Sequence, residues 1–213
     1  MRVLIIGAGG HAQVVADILL RMRERNSVVN PIGYLDDDDT LQNQELLGLP
    51  VLGKVADFRL IEHDAIIIAF GSNRLRHQLH ARLLRQGEHF FTATHPSAIV
   101  AQMTTIGEGT MICAGAIVGT GSTIGRNVIL NTACSVDHHN QIGDYAHLAP
   151  GTHLGGQVQI GQGTLVGIGA TVLPRQIIGE WSIVGAGAVV TRNIPDRVTV
   201  AGIPARIHES RTS

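Results

Sequence analysis

An α/β domain followed by an all-β prism of stacked short strands is the fold class this sequence predicts, and three observations carry it. The first is a six-residue step: Val100, Ile106, Ile112, Val118, Ile124, Leu130, Val136, Ile142, Leu148, Leu154, Ile160, Val166, Val172, Ile178, Val184 and Val190 are sixteen successive aliphatics with no insertion. The second is the company these aliphatics keep: glycine is the commonest next residue (Gly107, Gly119, Gly125, Gly143, Gly155, Gly161, Gly167, Gly179, Gly185), and small residues such as Thr110, Ala116, Ser122, Thr152 and Ala188 recur four places on. The third is that residues before about 95 lack this step and alternate apolar runs with helical periods.

A period of six matches neither the 3.6 of a helix nor the two of a half-buried strand. It matches a parallel β-helix, in which each hexapeptide is one side of a triangular coil of about 18 residues. The aliphatic points inward, the small residue fills the space beside it, and glycine permits the corner. At strand spacing, about five coils make a prism roughly 25 Å tall. A single buried helix fails as an alternative, because glycine at nearly every turn costs about 1 kcal/mol each.

The elements before residue 95 come in order. Residues 2–6 (Arg-Val-Leu-Ile-Ile) form a buried strand, and Gly7-Ala8-Gly9-Gly10-His11-Ala12 a tight turn. Apolar positions Val14, Val15, Ile18, Leu19 and Met22 predict a helix over 13–25. A second strand over 31–35 runs into Asp36-Asp37-Asp38-Asp39, and a short one is expected near 49–52. Residues 65–70 are a buried strand, Gly71-Ser72-Asn73 a turn, 74–86 an amphipathic helix on Leu75, Leu79, Leu83 and Leu84, and 89–94 a last strand. This alternation implies a small parallel sheet, half of a doubly wound Rossmann-like fold. The domains are therefore expected at 1–95 and 96–213, the second ending in a short tail.

Composition bounds the function. A formal net charge of −1 with 15% charged residues gives no footprint for nucleic acid or an anionic membrane. Cys113 and Cys134, 21 residues apart, do not stack at an 18-residue repeat, so neither a disulfide nor a metal pair is expected. The apolar N-terminal run is too short to span a bilayer and enters a glycine turn, so a soluble cytoplasmic protein is expected.

Two stretches carry chemistry. Gly7-x-Gly9-x-x-Ala12 fits the dinucleotide fingerprint between strand and helix, where backbone amides and the helix N-terminus suit a diphosphate. Asp36 ends the second strand, where an acid commonly holds a ribose. An NAD enzyme, another nucleotide-diphosphate site, and a glycine turn that only packs helix on strand are all compatible with these residues. In the prism, one rung exceeds what packing needs: Asn131 to Asn140, with Asp137, His138 and His139, followed by Asp144, His147 and His153. His138 and His139 fall near a corner on the outer surface, while His147 is half a coil away. A near-neutral histidine beside an orienting acid, Asp137 or Asp144, is a general base for an amine or hydroxyl. A metal site is the competing reading, disfavoured because no C-x-x-C or H-x-x-x-H spacing occurs; solvent-exposed corner histidines without a role are the plain alternative. His63, His77, His80, His89, His95 and His208 read as surface or boundary residues.

These motifs together resemble a known family. Gly-Ala-Gly-Gly-His-Ala at 7–12, Leu-Asp-Asp at 35–37, Ala-Phe-Gly-Ser-Asn at 69–73, His-Pro-Ser-Ala at 95–98, Leu-Asn-Thr at 130–132, Asp-His at 137–138 and Ala-Gly-Ile-Pro-Ala-Arg at 201–206 are similar to bacterial sugar O- and N-acetyltransferases of the NeuD/PglD type. The resemblance implies that the β-helix is left-handed and that the protein is a homotrimer with active sites between subunits. The implied activity is acetyl transfer from acetyl-CoA to the amine of a UDP- or GDP-linked amino-sugar, without metal. O-acetylation of sialic acid is one alternative, and a non-catalytic nucleotide-sugar-binding trimer another. By the same resemblance His138 is the general base and Asn131 lies near the reacting group; Asp137, which precedes the base, is expected with Asp144 as an acid to orient it. His147, Gly156, Ile168 and Ala186 contact acetyl-CoA, and Gly9, Gly10, His11, Asp36, Asp37 and Gly71 hold the nucleotide. One departure stands out: many members have Glu or Asp directly after the base, and here that residue is His139.

Overall fold

The structure, a computed structural model, describes residues 1–25 and 28–210, and these divide into two compact units, Met1–Pro96 and Ser97 onward.

In the first unit, β1 (Arg2–Ile6), α1 (Gly10–Glu24), β2 (Asn30–Leu35), β3 (Glu45–Leu46), β4 (Leu49–Gly53), β5 (Ala65–Ile68) and α2 (Asn73–Leu84) succeed one another. The sheet order is β3-β4-β2-β1-β5, with β1 parallel to both neighbours. Val3 to Ile6 are wholly buried, as an unbroken apolar run must be when it is an interior strand. The strand order reverses at β1, since β2 and β4 lie on one side and β5 on the other. The carboxyl ends of β1 and β5 therefore flank a topological switch point, where open α/β sheets bind ligands.

Three expectations need correction here. The helix α1 begins at Gly10, not residue 13, and packs through Ala12, Val15, Ala16, Ile18 and Leu19, while Val14 is turned outward. Its inward face is set by the 3.6 period counted from Ala12, an apolar residue too small to stand out in the sequence. On α2, Arg76 and His80 are buried with Leu79 and Leu83, and Leu84 is exposed. His80 is buried and stacks on Phe90 with ring centroids 4.3 Å apart, so it is not a surface histidine, while His63, half-buried, meets Glu88 at 2.9 Å through Nε2. The short strand near residue 50 is one arm of a hairpin with Glu45–Leu46, which two residues of pattern were too few to announce.

The second unit is a parallel β-helix. Sixteen two-residue strands run from Ile99–Val100 to Val189–Val190 at six-residue intervals, and each ladder aliphatic is the second residue of its strand. Each strand up to Thr171–Val172 pairs with the one eighteen residues on, as Ser135 with His153 and His147 with Leu165. The aliphatics from Ile112 onward form one continuous core with Ala116, Cys134, Ala146, Ala170 and Ala188. Cys113 and Cys134 are buried and free, and burial pushes both thiols up to about 12. Val198–Ala201 extends one face in parallel and Arg206–Ser210 covers it in antiparallel fashion.

Three corners alternate around each coil, and their registers decide which side chains meet. Residues 137–140 share a corner with 119–122 and 155–158; 143–146 with 125–128 and 161–164; 149–152 with 131–134, 167–170 and 185–188. A buried hydroxyl and amide relay fastens the first of these. Ser122 Oγ donates to Asp137 O at 3.0 Å and accepts the Asn140 N–H at 3.1 Å. Asn140 Nδ2 donates to Asp137 O at 2.6 Å, and its Oδ1 accepts the Val158 N–H at 2.8 Å.

Candidate functional site

At the carboxyl edge of the N-terminal sheet, Gly7 leaves β1 at φ 109°, a left-handed conformation that only glycine adopts freely, with its α-carbon against the Phe70 ring. Gly9 caps α1 without any side-chain hydrogen bond. Gly9, Gly10 and Gly71 are exposed, and a Cβ added to any of them meets nothing within 4 Å. The first amides of α1 thus open onto unfilled space, the arrangement a diphosphate requires.

The nearby acids have structural work. Asp36 accepts the Ala8 N–H at 2.7 Å and the Asp38 N–H at 3.0 Å, so its carboxylate pins the glycine turn to the end of β2. Asp37 Oδ1 accepts the Val55 N–H at 2.9 Å. Asp38 caps a short turn through Thr40, and Asp39 pairs with Lys54 at 2.9 Å. Beneath the turn lies a residue that the sequence pattern did not mark. Arg76, fully buried, donates to the carbonyls of Phe70 at 3.0 Å and Gly71 at 3.1 Å and to Asn73 Oδ1 at 3.0 Å. Burial lowers its pKa to about 9, which leaves it charged at neutral pH. His11 is pushed down to about 4, first by burial and then by the Arg76 charge, and is neutral at pH 7. Arginine spaced with Leu79 and Leu83 on a leucine helix reads as a solvated residue, which is why it escaped notice.

In the β-helix, His138 and His139 are exposed at the 137–140 corner. The His138 ring lies over Gly156, one coil on: a Cβ there would sit 2.5 Å from its Cε1 and Nε2. Gly156 is therefore the seat of the imidazole. The carboxylate expected to orient His138 does not reach its ring. Asp137 Oδ1 accepts the backbone N–H of His138 at 2.7 Å, holding the corner instead. Asp144 lies at the next corner, where it accepts the Arg126 N–H at 2.8 Å and faces the Arg126 guanidinium at 3.4 Å. The group that does face His138 Nδ1 is His139 Nδ1, at 3.1 Å.

Asn131 and His147 come together, away from His138. Asn131 Nδ2 is 3.1 Å from His147 Nε2, and Asn131 Oδ1 accepts the Thr132 N–H at 2.8 Å. Ile168, 62% exposed, and Ala186 succeed each other along that same corner at one-coil intervals. The residues expected to serve one active site thus occupy two different edges of the prism: His138 with Gly156 on one, Asn131, His147, Ile168 and Ala186 on the other. Among the described residues no three His, Cys, Asp or Glu side chains gather as a metal site, and no helix is long and apolar enough to cross a membrane.

A half-Rossmann unit joined to a hexapeptide β-helix with an exposed corner imidazole defines a class, the hexapeptide acyltransferases, and known proteins narrow it. Residues 2–83 match the PglD N-terminal domain and residues 157–192 the bacterial transferase hexapeptide (six repeats). A GDP-perosamine N-acetyltransferase of Escherichia coli O157:H7 is 31% identical over 208 residues, covering 95% of this chain and 94% of that protein. A UDP-N-acetylbacillosamine N-acetyltransferase of Bacillus subtilis is 44% identical over 114 residues, 53% of this chain, and the match spans about half (51%) of that relative's length. A variant of the perosamine N-acetyltransferase from Caulobacter crescentus, solved with CoA and GDP-perosamine, superposes with a TM-score of 0.90 at 36% identity, covering 98% of this chain and 97% of that one. The chain belongs to the NeuD/PglD-type family of bacterial sugar acetyltransferases.

Proposed function

We propose that this chain transfers the acetyl group of acetyl-CoA to the amine of a nucleotide-linked amino-sugar, with His138 as general base. The observation that carries the reading is the His138 imidazole itself, exposed to solvent at a fastened corner and seated on a glycine one coil away. Its Nε2 edge is free to take the N–H proton as the amine nitrogen attacks the thioester carbonyl. The C–S bond then breaks, and the proton passes to the departing thiolate. The names of the relatives at 31% and 44% identity, both N-acetyltransferases of nucleotide-linked sugars, favour amine over hydroxyl as acceptor.

The N-terminal turn supports the nucleotide part. Gly9, Gly10 and Gly71 offer open backbone beside the amides of α1, with His11 next in sequence. Asp36 and Asp37 keep spare lone pairs but are already engaged in the scaffold, which makes them weaker candidates for the ribose. For acetyl-CoA, the corner of Asn131, His147, Ile168 and Ala186 suits a pantetheine arm running along the prism, and Gly156 extends the contact on the other edge. Two edges of one prism do not converge, so the complete site needs two neighbouring subunits, and a homotrimer with shared sites is the assembly we propose. A solution mass three times the 22.6 kDa chain is the expected outcome. Two free buried cysteines suit a reducing compartment, and the cytoplasm is the proposed location.

The test is release of CoA thiol from acetyl-CoA across UDP- and GDP-amino-sugars and sialic acid, in the native protein and His138→Ala. Turnover with a nucleotide-amino-sugar is expected, together with a loss of about 10²- to 10⁴-fold in the variant at unchanged acetyl-CoA affinity. Near-full kcat in His138→Ala overturns the base assignment. Release with sialic acid alone points to O-acetylation, and the absence of CoA release with every acceptor to a binding protein.

A further inference from the structure

We propose that His139 is the positioning residue for His138, its neutral Nδ1 accepting a hydrogen bond from His138 Nδ1–H; the inference rests on His138 acting as the base. The two Nδ1 atoms are 3.1 Å apart, and the rings meet edge to face at 77° with centroids 5.3 Å apart. Each ring is held by a glycine on a different coil. A Cβ at Gly156, one coil after, would lie 2.5 Å from His138 Nε2; a Cβ at Gly121, one coil before, would lie 2.7 Å from His139 Cδ2. His139 adopts φ 58° and donates its N–H to Thr120 O at 2.9 Å, which turns its side chain back over the earlier coil. The neighbouring polar groups are engaged elsewhere. Asp137 accepts the His138 amide, Asp144 is with Arg126, and Gln157 Oε1 accepts from Arg175 Nε at 3.0 Å.

The pairing decides a tautomer. A neutral imidazole carries one ring proton, so a bond between two Nδ1 atoms requires one of them to be the donor. If His138 donates, its Nε2 keeps the lone pair that catalysis needs, and His139 holds its own proton on Nε2. When His138 Nε2 takes the amine proton, the Nδ1–H···Nδ1 bond gains a charged donor and strengthens. When that proton leaves with the thiolate of CoA, both rings return to their starting forms. His139 gains and loses no proton in the cycle. A second imidazole thus supplies the acceptor at a place where neither adjacent carboxylate reaches.

Two substitutions separate this role from packing. His139→Phe keeps a ring over Gly121 and removes the acceptor; His139→Asp removes the ring and restores an acceptor, on a residue type that tolerates a left-handed backbone. The Phe variant is expected to lose about 10- to 100-fold in kcat, the worth of one hydrogen bond to a charged donor, with both KM values little changed. The Asp variant is expected to stay within about threefold of native kcat, since a carboxylate is the stronger partner. Native kcat in the Phe variant, or equal loss in both, overturns the proposal. The ring nitrogens of ¹⁵N-histidine-labelled protein report the tautomer without reference to turnover. His138 protonated at Nδ1, changing on His139→Phe, supports the pair; His138 protonated at Nε2 in the native protein overturns it. His138→Ala assayed alongside tells the two readings apart: native kcat there sinks the base assignment, whereas its loss together with an indifferent His139→Phe sinks only the pair.

Discussion

The glycines of the N-terminal turn and those of the 137–140 corner have opposite surroundings. At Gly156 and Gly121 the space a side chain would take is filled by the protein's own imidazoles; at Gly9, Gly10 and Gly71 it is filled by nothing. Nor does backbone conformation require glycine at Gly9, whose φ of −68° any residue adopts. The contrast teaches how to read a glycine. At the 137–140 corner it makes room for an imidazole, and at the turn, on the proposed reading, for the nucleotide.

The sharpest way to break that contrast is Gly156→Val. If the missing side chain seats His138, filling it displaces the ring by more than an ångström and kcat falls about 100-fold or more, while thermal melting moves little because Gly156 is buried only by that exposed ring. Unchanged kcat would mean that His138 has no need of its seat. The next largest effect concerns His11, next in sequence to the open glycines of the turn. His11 is held neutral by burial and by Arg76, its pKa lowered from 6.5 to about 4. Between those values the unfolded chain binds more protons than the folded one, so this residue's contribution to stability falls as pH drops from 6.5 towards 4. The full difference is roughly 3 kcal/mol. Urea unfolding at pH 7 and pH 5 should show the native protein losing more stability than His11→Gln, and an equal loss in both would remove His11 from the account.

How much of this was legible depends on what each pattern encodes. The prism was, down to the second residue of every strand, because a six-residue period has a single geometric meaning and sixteen repeats leave no ambiguity of register. The turn was legible from Gly7, Gly9 and Ala12. Residues whose role depends on a side chain's direction were not. Asp137 adjoins His138 in the chain but bonds its amide, and Asn131 meets His147 through a contact between neighbouring coils that sequence distance conceals. Arg76 and His80 lie inward on a helix where leucines are the expected core, and no periodicity marks a charged residue as buried. The one available signal for the histidine pair was the coil repeat itself, which sets Gly121 beneath His139 and Gly156 above His138.

Smaller effects sharpen the other half of the contrast. Gly9 caps α1 without a side-chain bond, so Gly9→Ser supplies the missing acceptor and should raise stability by a few tenths of a kcal/mol. If the space above it belongs to a nucleotide, the same change should raise KM for the nucleotide-sugar about tenfold, the cost of losing about 1.4 kcal/mol of binding, with kcat nearly unchanged.

The smallest expected effect is at Gly10, the first residue of α1, where added bulk also meets no neighbour. Gly10→Ala reduces the freedom of the unfolded chain and should stabilise the protein by about 0.4–1 kcal/mol. A single methyl beside the approaching phosphates should raise KM only a few-fold, in the direction opposite to the gain in stability. Opposite signs from one methyl are what a ligand-facing glycine predicts. A glycine that only packs would lose stability, and an idle one would gain it with KM unmoved, so melting temperature and KM measured on the same sample distinguish the three.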